Sequence, residues 1–538
     1  MSLPRSARIC VPVCARHADE LRPAVVQAAA VADIIELRLD YLEAAECDQA
    51  VQSVPALLGA VSRPFILTFR PAEQGGRRAL SLAERVSFWK GRAGAGDARL
   101  APLWADLELD LANHLAALDK QLGVARDWSR IICSHHDFSG VPIDLDHVYE
   151  RLAETPARIL KIAVQASTIT DCIPVLRVLE RACREGRQMI AIAMGQPGIM
   201  TRLLAPARGA YLTFGSLDDA QASAPGQIRA ADLRDLYRIQ NLTARSHVMG
   251  VVGLPVGHSM SPRMHNAALA ARGLDAIYIP FEVHDVGEFM RRMVDPRSRE
   301  IDWNLRGLSV TAPHKSTILE HLSYIESTAR EIGAVNTVVI DGDQSLGYNT
   351  DAIGALAPLI ERIPLSDTNV AVIGAGGAAR AVLWGLKKHG ARLTIFARAP
   401  EKAQSLAQAF GARCAPLAGA TFGGFDIVIN TTPLGTSGPH VEETPSTAEQ
   451  LQGARIAYDL VYNPAETRFL REARAAGCET VGGLAMLVAQ AAEQFKLWTG
   501  LEAPVDLMRE AAAQALIDSS KFKVQSSKTG GPKTSFEP

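Results

Sequence analysis

Eight short apolar runs recur through residues 1–241, and that recurrence limits the fold more than any other feature of the chain. The runs are RICVPV, DIIELRLD, PFILTFR, LWADLELD, RIICSHHD, RILKIAV, MIAIAMG and GAYLTFGS. Between most of them lie Ala-, Leu- and Arg-rich stretches such as LAERVSFWKGRAG and IPVLRVLERACREG. About eight strands alternating with helices over about 240 residues predict a (β/α)8 barrel. The stretch AADLRDLYRIQNL is expected to close it, with TARSH as a brief linker.

Polar residues near the strand ends follow the strand period. Side chains at i and i+2 share a face. Glu36 therefore lies with Arg38, Thr68 with Arg70, Asp106 with Glu108, and Ser134 with His136. Leu37, Phe69 and Leu107 point the other way, toward the expected helix layer. Four successive strands thus direct charge into one barrel mouth. The same parity separates the paired histidines of SHHDF: His136 faces the lumen and His135 the helices. Lys161, inside ILKIAV, belongs to the lumen as well. Desolvation and neighbouring cations are expected to lower its pKa, and a neutral amine can attack a ketone to form a Schiff base.

The bulk numbers fit several domains. The chain has 538 residues, is 48% hydrophobic, and carries a net charge of −2. That balance argues against a nucleic-acid binder. The 8 cysteines are scattered, without zinc spacing, as expected for a reducing compartment, and no metal-ligand spacing is visible. No apolar run reaches the ~18 residues of a membrane helix, and no signal-like segment precedes the first strand, so the expected location is the cytoplasm.

A second pattern starts at residue 247. HVMGVVGLPVGHSMSPRMHNAAL reads as strand, loop and helix, with Ser261 as the expected N-cap before Pro262. Ser259 and Ser261 beside a helix N-terminus make a natural carboxylate site. GLSVTAPHKS presents Thr311 and Lys315, GAVNTV presents Asn336, and GYNTDAIG presents Asp351. Then NVAVIGAGGAARAVLWGLKKHGARLTIFAR places Gly374, Gly376 and Ala379 at G-x-G-x-x-[GA] spacing between a strand and a helix, which predicts a dinucleotide site. The second strand ends at Arg398 rather than an acidic residue, with Lys402 a turn later. Two cations there favour a 2′-phosphate, so NADP is expected over NAD.

Two resemblances follow from these motifs. ELRLD, TFR, SHHDF, LKIA, MGQPGIMTR and SAPGQ stand in the order seen in type I 3-dehydroquinate dehydratase, over residues 8–240. The resemblance implies a Schiff base at Lys161 and acid/base work by His136. Glu36, Arg38 and Arg70 would meet substrate hydroxyls or shape the lumen; Arg202, Ser223 and Gln227 would hold the carboxylate and hydroxyl end. One departure is Gln74 where that family has a Glu that bonds the histidine; Glu73 lies one place earlier.

Residues 248–515 resemble shikimate dehydrogenase, with DLVYNPAET and GGLAMLVAQAAEQF completing the match. This implies a catalytic pair of Lys315 and Asp351, and a substrate carboxylate on Ser259 and Ser261. Thr311, Asn336, Tyr462 and Gln490 would take ring hydroxyls. Gly374, Ala375, Gly376, Gly377, Ala378, Arg398, Lys402, Thr431 and Gly483 would line the cofactor. Here Ser309 replaces a common Asn, and Ala397-Arg398-Ala399 keeps only the Arg of Asn-Arg-Thr.

The expected layout is a barrel over 1–241, a substrate domain over 247–360, a Rossmann domain over 361–485, returning helices over 486–517 and a disordered tail over 518–538. Small-molecule partners are expected: 3-dehydroquinate, 3-dehydroshikimate and shikimate. Two rival readings are a catabolic quinate/shikimate dehydrogenase and a barrel kept as an inactive scaffold.

Overall fold

The computed structural model describes residues 7–90, 103–123, 126–257 and 259–528, with side chains through residue 518. The apolar runs form parallel strands β1 (Ile9–Val13), β2 (Ile34–Arg38), β3 (Phe65–Thr68), β4 (Leu103–Glu108), β5 (Ile131–Asp137), β6 (Ile159–Gln165), β7 (Gln188–Met194) and β8 (Thr213–Ser216). A short β9 (Ile228–Arg229) continues the edge, and the order is β7-β6-β5-β4-β3-β2-β1-β8-β9. Because β1 pairs with both β2 and β8, the sheet curls into the expected barrel. Between β7 and β8 the seam is carried by the Tyr211 N–H, which donates to the Met189 carbonyl at 2.7 Å.

Strand parity sorts two apolar layers. Ile34, Ile66, Ile132, Ile159 and Ile190 cluster inside the barrel, below the polar mouth. Leu37, Leu67, Leu107, Cys133 and Ile162 pack outward against the helices. That outer cluster continues without a break into Phe281, Phe289 and Trp303 of the next domain. Polar ties reinforce the junction: Arg177 to Glu300 at 3.0 Å and Arg263 to Asp232 at 3.6 Å.

The second sheet holds β10 (His247–Gly253), β11 (Ala276–Glu282), β12 (Leu305–Val310), β13 (Tyr324–Ile325), β14 (Thr337–Asp341) and β15 (Gln344–Tyr348) in the order β11-β10-β12-β14-β15-β13. The third is an all-parallel Rossmann sheet of β16 (Asn369–Ile373), β17 (Arg392–Ala397), β18 (Arg413–Pro416), β19 (Ile427–Asn430), β20 (Ile456–Asp459) and β21 (Glu479–Val481), ordered β18-β17-β16-β19-β20-β21. The helix Gly483–Thr499 then crosses back: Val488, Ala491 and Phe495 join Met249, Met264 and Tyr278 of the substrate domain in one core.

Two expectations need correction. Ser261 is the first residue of the helix Ser261–Ala271 rather than its cap; the Ser259 hydroxyl instead accepts the Ser261 N–H at 3.2 Å. The tail expected to be disordered from 518 is helical as far as Lys528, within the helix Val505–Lys528. No Gly or Pro interrupts that stretch, and the first breaker is Gly530, so Ser- and Lys-rich composition did not stop the helix. Residues 529–538 lie outside the described residues. Among the described residues no helix is long and apolar enough to cross a membrane.

Candidate active sites

Parallel strands deliver their C-terminal side chains to one end of a barrel. Here Glu36, Arg38, Arg70, His136, Lys161, Arg202, Ser223 and Gln227 all line one pocket there. Its electrostatic centre is Asp106, which the sequence placed on the lumen face without a role. One Asp106 oxygen lies 2.8 Å from Lys161 Nζ and 2.7 Å from an Arg70 nitrogen. The other accepts the Ser134 hydroxyl at 2.5 Å. Burial alone raises this carboxyl's pKa, but the charges of Arg70 and Lys161 outweigh burial and hold it well below the usual range. The nearest charge to Lys161 is thus a carboxylate rather than one of the expected cations. The Phe214 ring lies 4.6 Å from Nζ on another side.

His136 is buried in the same pocket. Burial, then the positive charges of Arg70 and Lys161, push its imidazole well below the ordinary histidine range. It is therefore neutral at pH 7 and able to accept a proton. Its Nδ1 has no hydrogen-bond partner. Gln74 does reach His136, but its Oε1 accepts the backbone N–H at 2.9 Å and leaves the ring alone. Glu73 is exposed. His135 points outward and is half-buried, as parity requires.

The rest of the mouth divides into held and open groups. Glu36 accepts the Thr68 hydroxyl at 2.6 Å, and Arg38 is paired with Asp40 at 2.8 Å and donates to the Gly75 carbonyl at 3.0 Å. Arg202 is buried with no acidic partner among the described residues; it donates to the Pro225 carbonyl at 3.0 Å and leaves Nε unbonded. Burial pulls its pKa down to about 10. A buried guanidinium is costly without an anion, so this end suits a carboxylate. Ser223 and Gln227 bond each other beside it, at 2.7 and 3.1 Å. Glu108, beside Arg70 and Arg85, is pushed up to about 7 by burial despite their charges.

The second site is gathered from separate elements. Lys315, in the loop after β12, lies 2.5 Å from an oxygen of Asp351, the first residue of the helix Asp351–Ile360. Asn336 donates to the other Asp351 oxygen at 2.7 Å, to Thr350 at 2.9 Å and to Gln490 at 3.4 Å. The returning helix thereby joins the site, as its sequence placed it. Gln494, which sequence reasoning passed over, supports the same cluster: its amide donates to the Asn336 carbonyl and the Thr337 hydroxyl, both at 3.1 Å. A polar residue one turn past Gln490 on a buried helix face was the available signal. Tyr462 packs on the cluster of Met260, Ala515 and Leu516, next to the Ser259–Ser261 loop. Thr311 is fixed at the backbone, its N–H donating to the Val252 carbonyl at 2.9 Å.

The glycine-rich turn meets this cluster. Gly374 has φ +113°, and a Cβ there would fall 2.6 Å from Thr431 Oγ1, so no other residue fits. A Cβ on Gly376 would meet nothing within 4 Å, and one on Gly377 would meet only Lys315 Cδ at 3.9 Å. The turn therefore leaves open room over the N-terminus of the helix Gly377–Lys388, directly beside Lys315. Ala375 is exposed at the turn, and Ala378 follows in the first helical turn. Arg398 and Lys402 are exposed past β17, and neither has an ion-pair partner among the described residues. The space and these cations fit an NADP phosphate. Gly483 has a different constraint, since a Cβ would sit 2.4 Å from the Leu460 carbonyl.

The halves match separate family models. Residues 9–244 match type I 3-dehydroquinase, residues 251–338 the shikimate dehydrogenase substrate binding domain, residues 358–450 shikimate / quinate 5-dehydrogenase, and residues 483–513 the shikimate 5′-dehydrogenase C-terminal domain. The chain is 34% identical over 523 residues to the bifunctional 3-dehydroquinate dehydratase/shikimate dehydrogenase, chloroplastic, of Arabidopsis thaliana, covering 93% of this chain and 83% of that one. It is 44% identical over 282 residues to the NADP(+) shikimate dehydrogenase of Methanosarcina acetivorans, covering 50% of this chain and 98% of that one. A solved shikimate 5-dehydrogenase of Thermus thermophilus, in complex with NADP(H) and shikimate, is 38% identical with a TM-score of 0.46, over 50% of this chain and 99% of that one. With both sets of motifs on one chain, in the same order as in the plant relative, the chain belongs to the bifunctional 3-dehydroquinate dehydratase/shikimate dehydrogenase family.

Proposed function

We propose that residues 1–241 dehydrate 3-dehydroquinate to 3-dehydroshikimate, and that residues 247–517 reduce the product to shikimate with NADPH. The observation that carries this reading is the recurrence of one device in both halves: a lysine paired with a carboxylate, Lys161–Asp106 in a barrel lumen and Lys315–Asp351 beside an open dinucleotide turn.

In the first step Lys161 passes a proton to neutral His136, its amine adds to the ring ketone, and His136 returns the proton to the departing hydroxyl, which leaves as water and forms an iminium. The iminium withdraws electrons from the adjacent C–H bond. Neutral His136 removes that C2 proton, the electron pair forms the ring double bond, and the C1 hydroxyl leaves with a proton as water. Hydrolysis of the iminium restores Lys161, so one water is lost overall. Arg202, Ser223 and Gln227 hold the carboxylate and hydroxyl end, and Glu36, Arg38 and Arg70 shape the rest of the lumen.

In the second step the turn Gly374–Gly377 would hold NADPH, which when bound would supply a hydride to the ring ketone. Lys315 delivers the matching proton to the carbonyl oxygen, and Asp351 orients the ammonium. Ser259 and Ser261 take the substrate carboxylate, and Thr311, Asn336, Tyr462 and Gln490 the ring hydroxyls. Gly374, Ala375, Gly376, Gly377, Ala378, Thr431 and Gly483 frame the cofactor, and Arg398 with Lys402 pairs with its 2′-phosphate. The cytoplasm is our reading of its location, on eight free thiols in the chain.

The test is to supply 3-dehydroquinate and NADPH to the intact protein. Consumption of NADPH with accumulation of shikimate is expected. Accumulation of 3-dehydroshikimate alone, no reaction at all, or faster NAD-linked oxidation of quinate would each overturn part of the assignment.

A further inference from the structure

The nucleotide domain contains a buried carboxylate that the reaction above does not use. Asp459, the last residue of β20, is 0% exposed and has no cationic partner among the described residues. One of its oxygens accepts Asn430 Nδ2 at 2.9 Å and the Val461 N–H at 3.0 Å; the other accepts the Thr467 hydroxyl at 2.5 Å. Burial pushes its pKa up to about 6, although all three hydrogen bonds oppose the rise. The folded state therefore disfavours the ionised form, and holding a carboxylate here costs stability at neutral pH.

Its partners lead to both ligands. Asn430 ends β19, and its Oδ1 accepts the Thr432 N–H at 3.0 Å and the Thr432 hydroxyl at 2.7 Å. Between them, Thr431 donates its N–H and hydroxyl to the Ile373 carbonyl at 2.9 and 2.8 Å and closes against Gly374, at the start of the dinucleotide turn. On the other side, the Val461 N–H fixes the chain immediately before Tyr462.

We propose that Asp459 is a positioning residue, a single carboxylate that sets the spacing between the cofactor loop Asn430–Thr432 and the substrate residue Tyr462. An aspartate serves because both oxygens accept: three donors from three directions converge on it. An asparagine would turn a donor toward one of them. The inference rests on the dehydrogenase reading of this half.

The test uses the intact chain as wild type, Asp459→Asn and Thr467→Ala. Wild type must first show NADPH-linked reduction of 3-dehydroshikimate; its failure would sink the dehydrogenase reading rather than this one. Asp459→Asn is expected to raise KM for both NADPH and 3-dehydroshikimate about tenfold, the scale of one lost charge-assisted hydrogen bond. The dehydrogenase half should remain folded, and dehydratase activity should stay within about twofold. Thr467 caps the helix Arg468–Ala475, so Thr467→Ala should lower Tm while both KM values stay within about twofold. The proposal is overturned if Asp459→Asn leaves either KM unchanged, if it loses the folded dehydrogenase half, or if Thr467→Ala raises both KM values equally.

Discussion

The barrel lumen and the dehydrogenase cleft use the same pair of groups in opposite settings. The Lys161 and Asp106 side chains are 4% and 1% exposed, on two strands of one continuous sheet. The Lys315 side chain is 21% exposed, and its partner comes from a helix 36 residues on. On the proposed chemistry, a lumen that acts through a covalent bond to the protein needs only one substrate and can be closed. A cleft that brings a second ligand to the same lysine must stay open toward the nucleotide turn. The burial of charge therefore follows the number of ligands each site assembles.

The sharpest way to break this comparison is to remove each lysine. Lys161→Ala should lower dehydration by on the order of 10⁴ or more, since the covalent step is lost. Lys315→Ala should lower shikimate oxidation by about 10²- to 10⁴-fold. Each variant should leave the other activity within about twofold in parallel steady-state assays; a shared loss would show that the sites are not independent.

Removing the carboxylates separates them next. Asp106→Ala strands Arg70 and Lys161 in the lumen and should destabilise the barrel by about 3–5 kcal/mol in thermal or urea unfolding. Asp351→Ala leaves a partly hydrated Lys315 and should cost less, about 1–3 kcal/mol, with most of its effect on kcat. Equal losses would contradict the difference in burial. At the cofactor rim, Arg398→Ala should raise KM for NADP about tenfold and leave KM for NAD unchanged.

Acid should act on the two buried histidines, one in each half, with one sign. His136 is held neutral in the fold, so its contribution to stability is present above the unfolded value near 6.5 and is lost as pH falls below it toward the depressed folded value. His265, which burial pulls down to about 3 in the substrate domain, adds a loss of the same sign. The acid limb of dehydratase kcat/KM should accordingly fall below pH 6.5. The smallest effect expected is that of His135→Ala: dehydration within about threefold and stability lower by about 1 kcal/mol.

These differences also explain what the sequence disclosed. The barrel and its lumen were legible because period-two alternation survives from chain to fold: Glu36, Arg70, His136 and Lys161 converge as parity requires. Asp106 was visible on the same face, but its role as the shared acceptor needed three distances. The cleft had no single period to read. Lys315, Asn336, Asp351 and Gln490 come from four elements, and only their motifs connected them beforehand. Gln494 and Asp459 stayed hidden because their importance lies in hydrogen bonds across 158 and 29 residues of sequence. Ser261 lies inside the helix because the helix begins one residue earlier than its cap pattern implied; Met260 takes the N-cap position, and the Ser259 hydroxyl accepts the Ser261 N–H.

The most direct test of the central claim is borohydride reduction of the intact protein in the presence of 3-dehydroquinate, followed by peptide mass analysis. The account predicts one reduced substrate adduct, on Lys161, with loss of dehydratase activity and retention of shikimate oxidation. No adduct, or an adduct on any other lysine, would contradict it.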